Sequence, residues 1–167
     1  MIKPKRIFII GHMGAGKFLL TEALAKKLGW ELIDANPSLE RYIGRSLSEI
    51  LGIQGEEAFH RCENEILSHY IDKEHVVVVL EESVIATKEN RKLLSSEFVI
   101  YLKVSVPTQL ERMKGGRVPL LPIADMKVFL DKQHNERDHL FEEVATLTID
   151  SVSVEDDVNK IIKALEE

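Results

Sequence analysis

Seven residues near the start of the chain have the types and the spacing of a phosphate-binding loop. Segment 11–17 reads Gly-His-Met-Gly-Ala-Gly-Lys, between a short apolar run and a predicted helix. Glycines let the backbone turn tightly and direct its N–H groups at a phosphate, and the lysine adds a mobile positive charge. The alternative is a glycine-rich turn that binds nothing. The residues expected to contact a bound phosphate are Gly11, Met13, Gly14, Ala15, Gly16, Lys17, Phe18 and Leu19.

The position after this lysine departs from the pattern. It normally carries Ser or Thr, whose hydroxyl coordinates Mg²⁺, whereas this chain has Phe18. A phenyl ring offers magnesium no ligand, and Thr21 lies three residues further along the predicted helix. Phosphate binding is therefore expected to persist, while magnesium-dependent transfer is in question.

An acidic residue after a second apolar run is a candidate metal ligand. Val76–Leu80 is followed directly by Glu81, and a strand that ends in an acid often holds magnesium in enzymes with this type of loop. Glu81 is therefore a candidate to replace the missing hydroxyl. The alternative is that Glu81 and Glu82 are solvated charges at the end of a strand.

The histidines and the single cysteine do not form a metal-binding pattern along the chain. The six histidines show no zinc-ligand spacing with Cys62, so the sequence predicts no zinc site. Cys62 falls on the apolar face of a predicted helix, which is typical of a small core residue.

Short apolar strands alternate with amphipathic helices and must position these residues. The predicted strands are 6–10, 31–34, 75–80, 98–104 and 146–150. The predicted helices are 17–28, 39–43, a short one from 46, 56–71, 88–94, 108–114, 125–145 and 154–165. This alternation, with the continuous valine run at 76–79, predicts an α/β domain with a mainly parallel sheet and helices on both faces.

Length and composition limit the classes of protein to consider. The 167 residues are 44% hydrophobic and carry a net charge of −6, which predicts one globular domain over 1–167 and argues against nucleic-acid binding. No apolar run is long enough to cross a bilayer, so no membrane is expected as a partner. One cysteine excludes an internal disulfide and fits a reducing compartment, so we expect a cytoplasmic protein. Composition carries no signal for an oligomeric state.

Residues 5–165 resemble shikimate kinase, a small member of the P-loop kinase group. The motifs that carry the resemblance are loop 11–17, Leu28-Gly29, Leu32-Ile33-Asp34, Gly44-Arg45-Ser46, Glu49-Ile50, Gly55-Glu56 with Phe59 and Glu63, Asn90-Arg91, Val99–Leu102, Pro119-Leu120-Leu121, and Arg137 with segment 140–143. The resemblance implies a three-layer α/β/α P-loop kinase fold with a five-stranded parallel sheet in the order 2-3-1-4-5. It also implies a substrate-side helical region near 36–64 and a lid near 113–124. The family reaction transfers the γ-phosphoryl group of ATP, with Mg²⁺, to the 3-hydroxyl of shikimate.

Several family positions keep their residue type. The resemblance implies that Asp34 holds magnesium through water, and it makes Asp34 and Lys17 the candidate catalytic residues. Arg112 matches a family arginine near the adenine, and Arg137 matches an arginine that binds the substrate carboxylate. Arg117 stands next to the position of a lid arginine and is expected to replace it.

The other positions expected to contact the acceptor have changed. Asn36 stands where the family has a second Asp, and an amide cannot take a proton. His60 stands where an arginine binds the substrate carboxylate, and the adjacent Arg61 points about 100° away on a helix. Glu81 and Glu82 begin a triplet that replaces three glycines close to the substrate. Two carboxylates there would repel an acidic acceptor.

The sequence thus leaves three functions open. One is a shikimate-kinase-like protein that binds ATP or ADP and has weak or lost activity on shikimate. Another is an active kinase for a different small acceptor that bears hydroxyls or an amine. The third is a scaffold or regulatory protein that keeps the fold without catalysis. Under the first two, Mg²⁺ is expected at Asp34 and Glu81.

Overall fold

Five parallel strands form the centre of the protein in a computed structural model, which describes residues 3–35, 55–114 and 123–167. The strands are β1 Arg6–Ile10, β2 Glu31–Asp34, β3 Val76–Val79, β4 Phe98–Lys103 and β5 Leu147–Asp150. Their order across the sheet is β2-β3-β1-β4-β5, and every neighbouring pair is parallel. The predicted fold class and strand order are therefore confirmed.

Helices connect the strands and cover the sheet. They are α1 Lys17–Leu28, α2 Gly55–Tyr70, α3 Lys88–Leu94, α4 Val106–Met113, α5 Ile123–Val144 and α6 Val154–Glu166, with a 3₁₀ helix Glu82–Ala86 between β3 and α3. The predicted helices near 39–43 and from 46 lie outside the described residues, as do 115–122 of the predicted lid. Within the described segments, no helix carries an apolar stretch that could traverse a bilayer.

Both faces of the sheet are buried, which explains the uninterrupted apolar runs in the sequence. Along β1, Phe8 and Ile10 face one hydrophobic cluster, and Ile7 and Ile9 face another. The first cluster packs against α2, α3 and α5, whereas the second packs against α1 and α6. Cys62 is partly buried against the first cluster, as its place on the apolar face of a helix predicted.

Some element boundaries differ from the sequence predictions, because a local backbone conformation or a capping hydrogen bond decides where the element begins. The strand predicted over 75–80 covers Val76–Val79, and it begins after His75 because that residue has a φ of 58°, outside the extended region. The helix predicted from 108 begins at Val106, because the Ser105 hydroxyl accepts the N–H of Thr108 and so caps the helix two residues earlier. The 3₁₀ helix after β3 has no counterpart among the predictions.

The parallel sheet brings three chemistry-bearing segments to one edge. The loop 11–17 follows β1, Asp34 is the last residue of β2, and Glu81 comes two residues after β3. These strands are neighbours in the sheet, and parallel strands end at the same edge. The fold therefore brings the predicted loop close to the predicted acids.

Candidate functional site

The loop between β1 and α1 has a backbone shape that its glycines permit. Gly11, Gly14 and Gly16 have φ values of 152°, 72° and 92°, a region that other residues rarely adopt. A Cβ at Gly14 would lie 2.6 Å from Cγ of Met113, so α4 packs directly on the loop. Gly16 is the N-cap of α1, which places the positive end of that helix dipole at the loop.

The side chain of Lys17 folds back over this loop. Its Nζ donates hydrogen bonds to the carbonyl oxygens of Gly11 and His12, both at 2.9 Å. Burial lowers the pKa of this ammonium, and the charges of Glu82 and Glu81 work in the opposite direction. A partly buried cation at the start of a helix is suited to bind an anion such as a phosphate.

A cavity of about 550 Å³ opens beside Lys17. One wall is the loop and the first turn of α1, and the opposite wall is the end of β2 and β3. The described residues that line it are Met13, Gly14, Gly16, Lys17, Phe18, Asp34, Val79, Leu80, Glu81 and Glu82. The fold thus brings five of the eight predicted phosphate-contacting residues and both predicted metal ligands to one cavity, whereas Gly11, Ala15 and Leu19 are not part of its lining. The volume of the cavity is typical of small-molecule sites.

The acidic wall of the cavity holds three carboxylates that affect one another. Burial raises the pKa of Glu81 to about 7, with further contributions from the charges of Glu82 and Asp34, while Lys17 opposes the shift. Carboxylate oxygens are ligands that magnesium takes, and a cation between these acids would relieve their repulsion. Asp34 and Glu81 therefore fit a Mg²⁺ site in their chemistry.

The first turn of α1 contributes no oxygen ligand to that site. Phe18 lines the cavity with a ring that is 43% exposed, and Leu19 is 57% exposed. Thr21 cannot stand in for the missing hydroxyl, because its buried side chain donates to the carbonyl oxygen of Lys17 at 2.7 Å. The hydroxyl that this type of loop normally supplies has no replacement on the described part of α1.

Arg112 supports the loop from the side of α4. Its Nη1 donates to the carbonyl oxygen of Ala15, and its Nη2 donates to Oγ of Ser151 at 2.9 Å. The guanidinium thus links the loop to the turn between β5 and α6. A contact between Arg112 and an adenine remains a prediction.

His60 is held by a buried acid on its own helix. Its Nδ1 lies 2.9 Å from Oε1 of Glu63, and the Ser83 hydroxyl donates to Oε2 of the same carboxylate at 2.7 Å. Burial raises the pKa of Glu63. Arg61 is exposed one position further along the helix, in keeping with the predicted 100° offset.

Arg137 is the predicted acceptor-binding arginine that lies beside the acidic wall. It lines a smaller cavity of about 110 Å³ together with His12, Met13 and Glu82, and the last two residues also line the larger cavity. In the three described segments, Arg137 has no ion pair and no hydrogen bond through its guanidinium. Asn36 and Arg117, the two remaining predicted site residues, lie outside the described residues.

A polar cluster that the sequence did not reveal lies between the loop, α4 and α5. His12 of the loop and His134 of α5 stack with ring centroids 3.9 Å apart, and both rings contact the Asp138 carboxylate. Gln109 of α4 joins the cluster to the loop through the carbonyl oxygen of Met13. His12 and Asp138 are 126 residues apart, so no local spacing could reveal the pair.

Comparisons with known proteins agree on one family. The family model described as shikimate kinase matches residues 13–166. A shikimate kinase of Legionella pneumophila is 37% identical over 169 residues, covering 99% of this chain and 97% of that protein. Acinetobacter baumannii shikimate kinase in complex with shikimate superposes with a TM-score of 0.87 at 30% identity, over 98% of this chain and 93% of that one. A shikimate kinase from Bacteroides thetaiotaomicron shares the fold, with a TM-score of 0.88 at 22% identity over 97% and 98% of the two chains.

Proposed function

The chain belongs to the shikimate kinase family, and from this premise we propose that it binds ATP or ADP through loop 11–17 with weak or no activity on shikimate. The observation that carries the proposal is the pair Glu81 and Glu82, which lines the cavity together with Lys17. The family has glycines at these positions, close to an acceptor that is itself a carboxylate. Like charges at short range cost several kcal/mol when they are partly desolvated, at an order-of-magnitude level.

The loop supports the nucleotide half of the proposal. It combines glycine-dependent turns, the N-terminus of α1 and a partly buried lysine, which together suit a chain of phosphates. The cavity beside it has about 550 Å³ available. The loop turns, the helix N-terminus and the lysine do not depend on the side chain at position 18.

Phosphoryl transfer depends on more than the loop. Magnesium, when bound with the nucleotide, neutralises charge that develops on the phosphate oxygens. Asp34 and Glu81 are the carboxylates that would hold it, and Phe18 supplies no ligand. Lys17 would place its ammonium against the outer phosphates, exchanging its bonds to the loop carbonyls for bonds to phosphate oxygens.

The acceptor side has lost one of its two expected arginine contacts. His60 replaces an arginine and is engaged by Glu63, whereas Arg137 remains beside Glu82. Loss of one bidentate arginine–carboxylate contact weakens binding by a few kcal/mol, roughly a hundredfold or more. Together with the acids of the cavity wall, this favours poor binding of shikimate.

The same acids support a second candidate function. Three carboxylates line one wall of the cavity, and the pKa of Glu81 is raised to about 7 partly by the neighbouring negative charges. Such a wall attracts a cationic group and accepts hydrogen bonds from hydroxyls. An amine-bearing or polyhydroxylated acceptor would fit it better than an acid.

Nucleotide binding and turnover test the proposal separately. A nucleotide at 100 times its dissociation constant stabilises a protein by about 2.7 kcal/mol, so ATP and ADP are expected to raise the melting temperature clearly. Coupled turnover with shikimate is expected to stay far below the roughly 1–100 per second of ordinary kinases. Turnover in that range contradicts the proposal. Absence of any nucleotide effect favours a scaffold instead.

The acidic wall can also be tested by restoring the family residue types. The variant Glu82→Gly is expected to raise kcat/KM for shikimate at least tenfold over the natural chain, since it removes a repelling carboxylate and leaves the candidate metal ligand Glu81 in place. The matched control is Glu111→Gly, which removes an exposed acid on α4. An unchanged kcat/KM in Glu82→Gly, with nucleotide binding retained, would show that this acid does not limit the reaction.

A further inference from the structure

We propose that His12, His134 and Asp138 form a binding site for one divalent transition-metal ion of the Zn²⁺ class. This site lies behind the loop, separate from the carboxylates Asp34 and Glu81 of the larger cavity. It does not depend on the proposed function, because its ligands are defined by their own geometry.

The three side chains already present donor atoms at close range. One ligand atom from each residue can be chosen so that all three lie within 4.8 Å of one another. His12 Nε2 lies 2.6 Å from Asp138 Oδ1, and His134 Nδ1 lies 3.0 Å from the same oxygen. Two imidazole nitrogens and one carboxylate oxygen are a common ligand set for zinc and its neighbours in the first transition row.

Gln109 orients His134 in the way that a metal ligand requires. The Gln109 amide donates through Nε2 to the carbonyl oxygen of Met13 at 2.8 Å, which leaves its Oε1 as an acceptor. That oxygen lies 2.6 Å from His134 Nε2, so Nε2 must carry the hydrogen. In the neutral ring the lone pair is then on Nδ1, the atom that faces Asp138. Metal-bound histidines are typically oriented by such a second hydrogen bond.

The cluster is short of one positive charge. With Nε2 of His134 protonated, a neutral ring presents a lone pair to a carboxylate, and two acceptors face each other. Either a proton or a metal ion at Nδ1 removes this conflict.

The surroundings limit the kind of ion and its coordination. Tyr101 donates to Asp138 Oδ1 at 3.3 Å, which orients the carboxylate from the side of the sheet. His12 is only 2% exposed, whereas the Asp138 side chain is 36% exposed and gives access from solvent. Three protein ligands leave a fourth tetrahedral position for water. Imidazole is a poor ligand for Mg²⁺, so magnesium is expected to be excluded.

A metal ion at this place would tie the loop to α5. His12 belongs to the loop between β1 and α1, while His134 and Asp138 are one turn apart on α5. Binding would therefore fix the loop against the helix that follows the predicted lid. The expected result is a higher melting temperature with Zn²⁺, independent of nucleotide.

Titration of the full chain with Co²⁺ and Zn²⁺ tests the site directly. We expect one ion per chain, a tetrahedral Co²⁺ absorption spectrum that Zn²⁺ abolishes and excess Mg²⁺ leaves unchanged, and release of about one proton per ion near neutral pH. His134→Gln and Asp138→Asn are expected to weaken binding at least a hundredfold. Gln109→Leu, which removes the amide that orients His134 together with its hydrogen bond to the Met13 carbonyl oxygen, is expected to weaken it about 10- to 100-fold.

The matched control is His139→Gln, which removes an exposed histidine from the same helix and is expected to bind like the natural chain. Equal binding by all the variants would place the ion elsewhere on the surface and overturn the proposal, as would no binding at submillimolar Co²⁺. If a variant fails to fold, histidine NMR signals of the natural chain decide. Zn²⁺ must then shift the signals of His12 and His134 and leave that of His139 in place.

Discussion

At the scale of single residues, the proposed function makes Phe18 affect the binding of magnesium but not the binding of phosphate. Phosphate would be recognised by backbone N–H groups and by Lys17, neither of which depends on the side chain at position 18. The metal ligand at that position is a side-chain oxygen, which phenylalanine lacks. The 43% exposed ring faces the cavity without being part of the core, so replacing it is not expected to disturb the fold.

Phe18→Ser tests whether the missing hydroxyl limits magnesium binding. We expect the affinity for ATP in the presence of Mg²⁺ to rise about tenfold, roughly 1.4 kcal/mol, while the affinity without Mg²⁺ stays the same. Calorimetric titration with and without magnesium measures both values. Leu19→Ser is the control, because it exchanges the adjacent exposed apolar residue for the same hydroxyl. An equal gain in both variants would contradict the role assigned to position 18.

Glu81 is expected to lower the free energy of unfolding as the pH rises. An acid whose pKa is lowered on folding has the opposite effect. The pKa of Glu81 is raised from 4.5 to about 7 by burial and by Glu82, so the folded protein holds this proton more tightly than the unfolded chain. The free energy of unfolding is therefore expected to fall, by about 2 kcal/mol, as the pH rises from about 4.5 to about 7. Above that range this group adds no further change.

Glu81→Gln removes this titration and provides the measurement. Denaturant unfolding at several pH values should show that the difference between the natural chain and the variant changes between pH 4.5 and 7 and then levels off. Glu111→Gln is the control, since Glu111 is an exposed acid and its loss should leave the pH dependence unaltered. A constant difference between the natural chain and Glu81→Gln would show that Glu81 titrates at its ordinary value.

At the scale of elements, the loop depends on α4 as much as on its own glycines. Gly14 packs against Met113 so closely that no side-chain atom fits between them. Gln109 and Arg112 of the same helix donate to the loop carbonyls of Met13 and Ala15. The helix therefore sets the shape of the loop, and a phosphate would meet a preformed site.

Comparing Gly14→Ala with Gly29→Ala separates two losses of folding free energy. One is the loss from a Cβ that clashes with Met113, and the other is the loss from an alanine at a positive φ. The two glycines have φ values of 72° and 71°, but a Cβ at Gly29 meets nothing within 4 Å. Gly29→Ala is expected to lower the free energy of unfolding by about 1 kcal/mol, and Gly14→Ala by about 2–4 kcal/mol with weaker nucleotide binding. Thermal or denaturant unfolding compares them. Equal losses would mean that Met113 moves aside without cost.

At the scale of the whole molecule, a partly buried ion pair links β1 to the start of β4, at the end of the strands opposite the candidate site. Arg6 at the start of β1 pairs with Glu97 just before β4, and it also donates to the carbonyl oxygen of Lys73 at 2.9 Å. The two side chains are 17% and 10% exposed. Neighbouring Lys5 pairs with Glu74 in solvent, with 70% and 56% of the side chains exposed.

Arg6→Ala is expected to cost about 2 kcal/mol of stability, because it leaves the Glu97 carboxylate without its partner in a poorly solvated place. Lys5→Ala should change stability by less than about 0.5 kcal/mol, since exposed pairs are screened by water. Urea unfolding of the two variants against the natural chain measures the contrast. Similar values for both would indicate that water reaches Glu97 once the arginine is removed.

The fold could be predicted from the sequence because its signals are local. The 3.6-residue and continuous apolar patterns identified the described strands and α-helices to within about two residues, since each element buries its own apolar face, but they did not predict the 3₁₀ helix Glu82–Ala86. The phosphate-binding loop was visible for the same reason: its chemistry uses consecutive backbone groups of one segment. The absence of a hydroxyl at position 18 can also be read from the sequence, because it concerns a single residue.

Contacts between distant segments were decided only by the tertiary structure. The cavity brings Lys17 together with Asp34 and Glu81, and the raised pKa of Glu81 depends on how deeply the folded chain buries it. His12 meets Asp138 across 126 residues, and no spacing in the sequence encodes that distance. Side chains of this kind interact through space rather than along the chain, so their chemistry exists only once the sheet and its helices have packed.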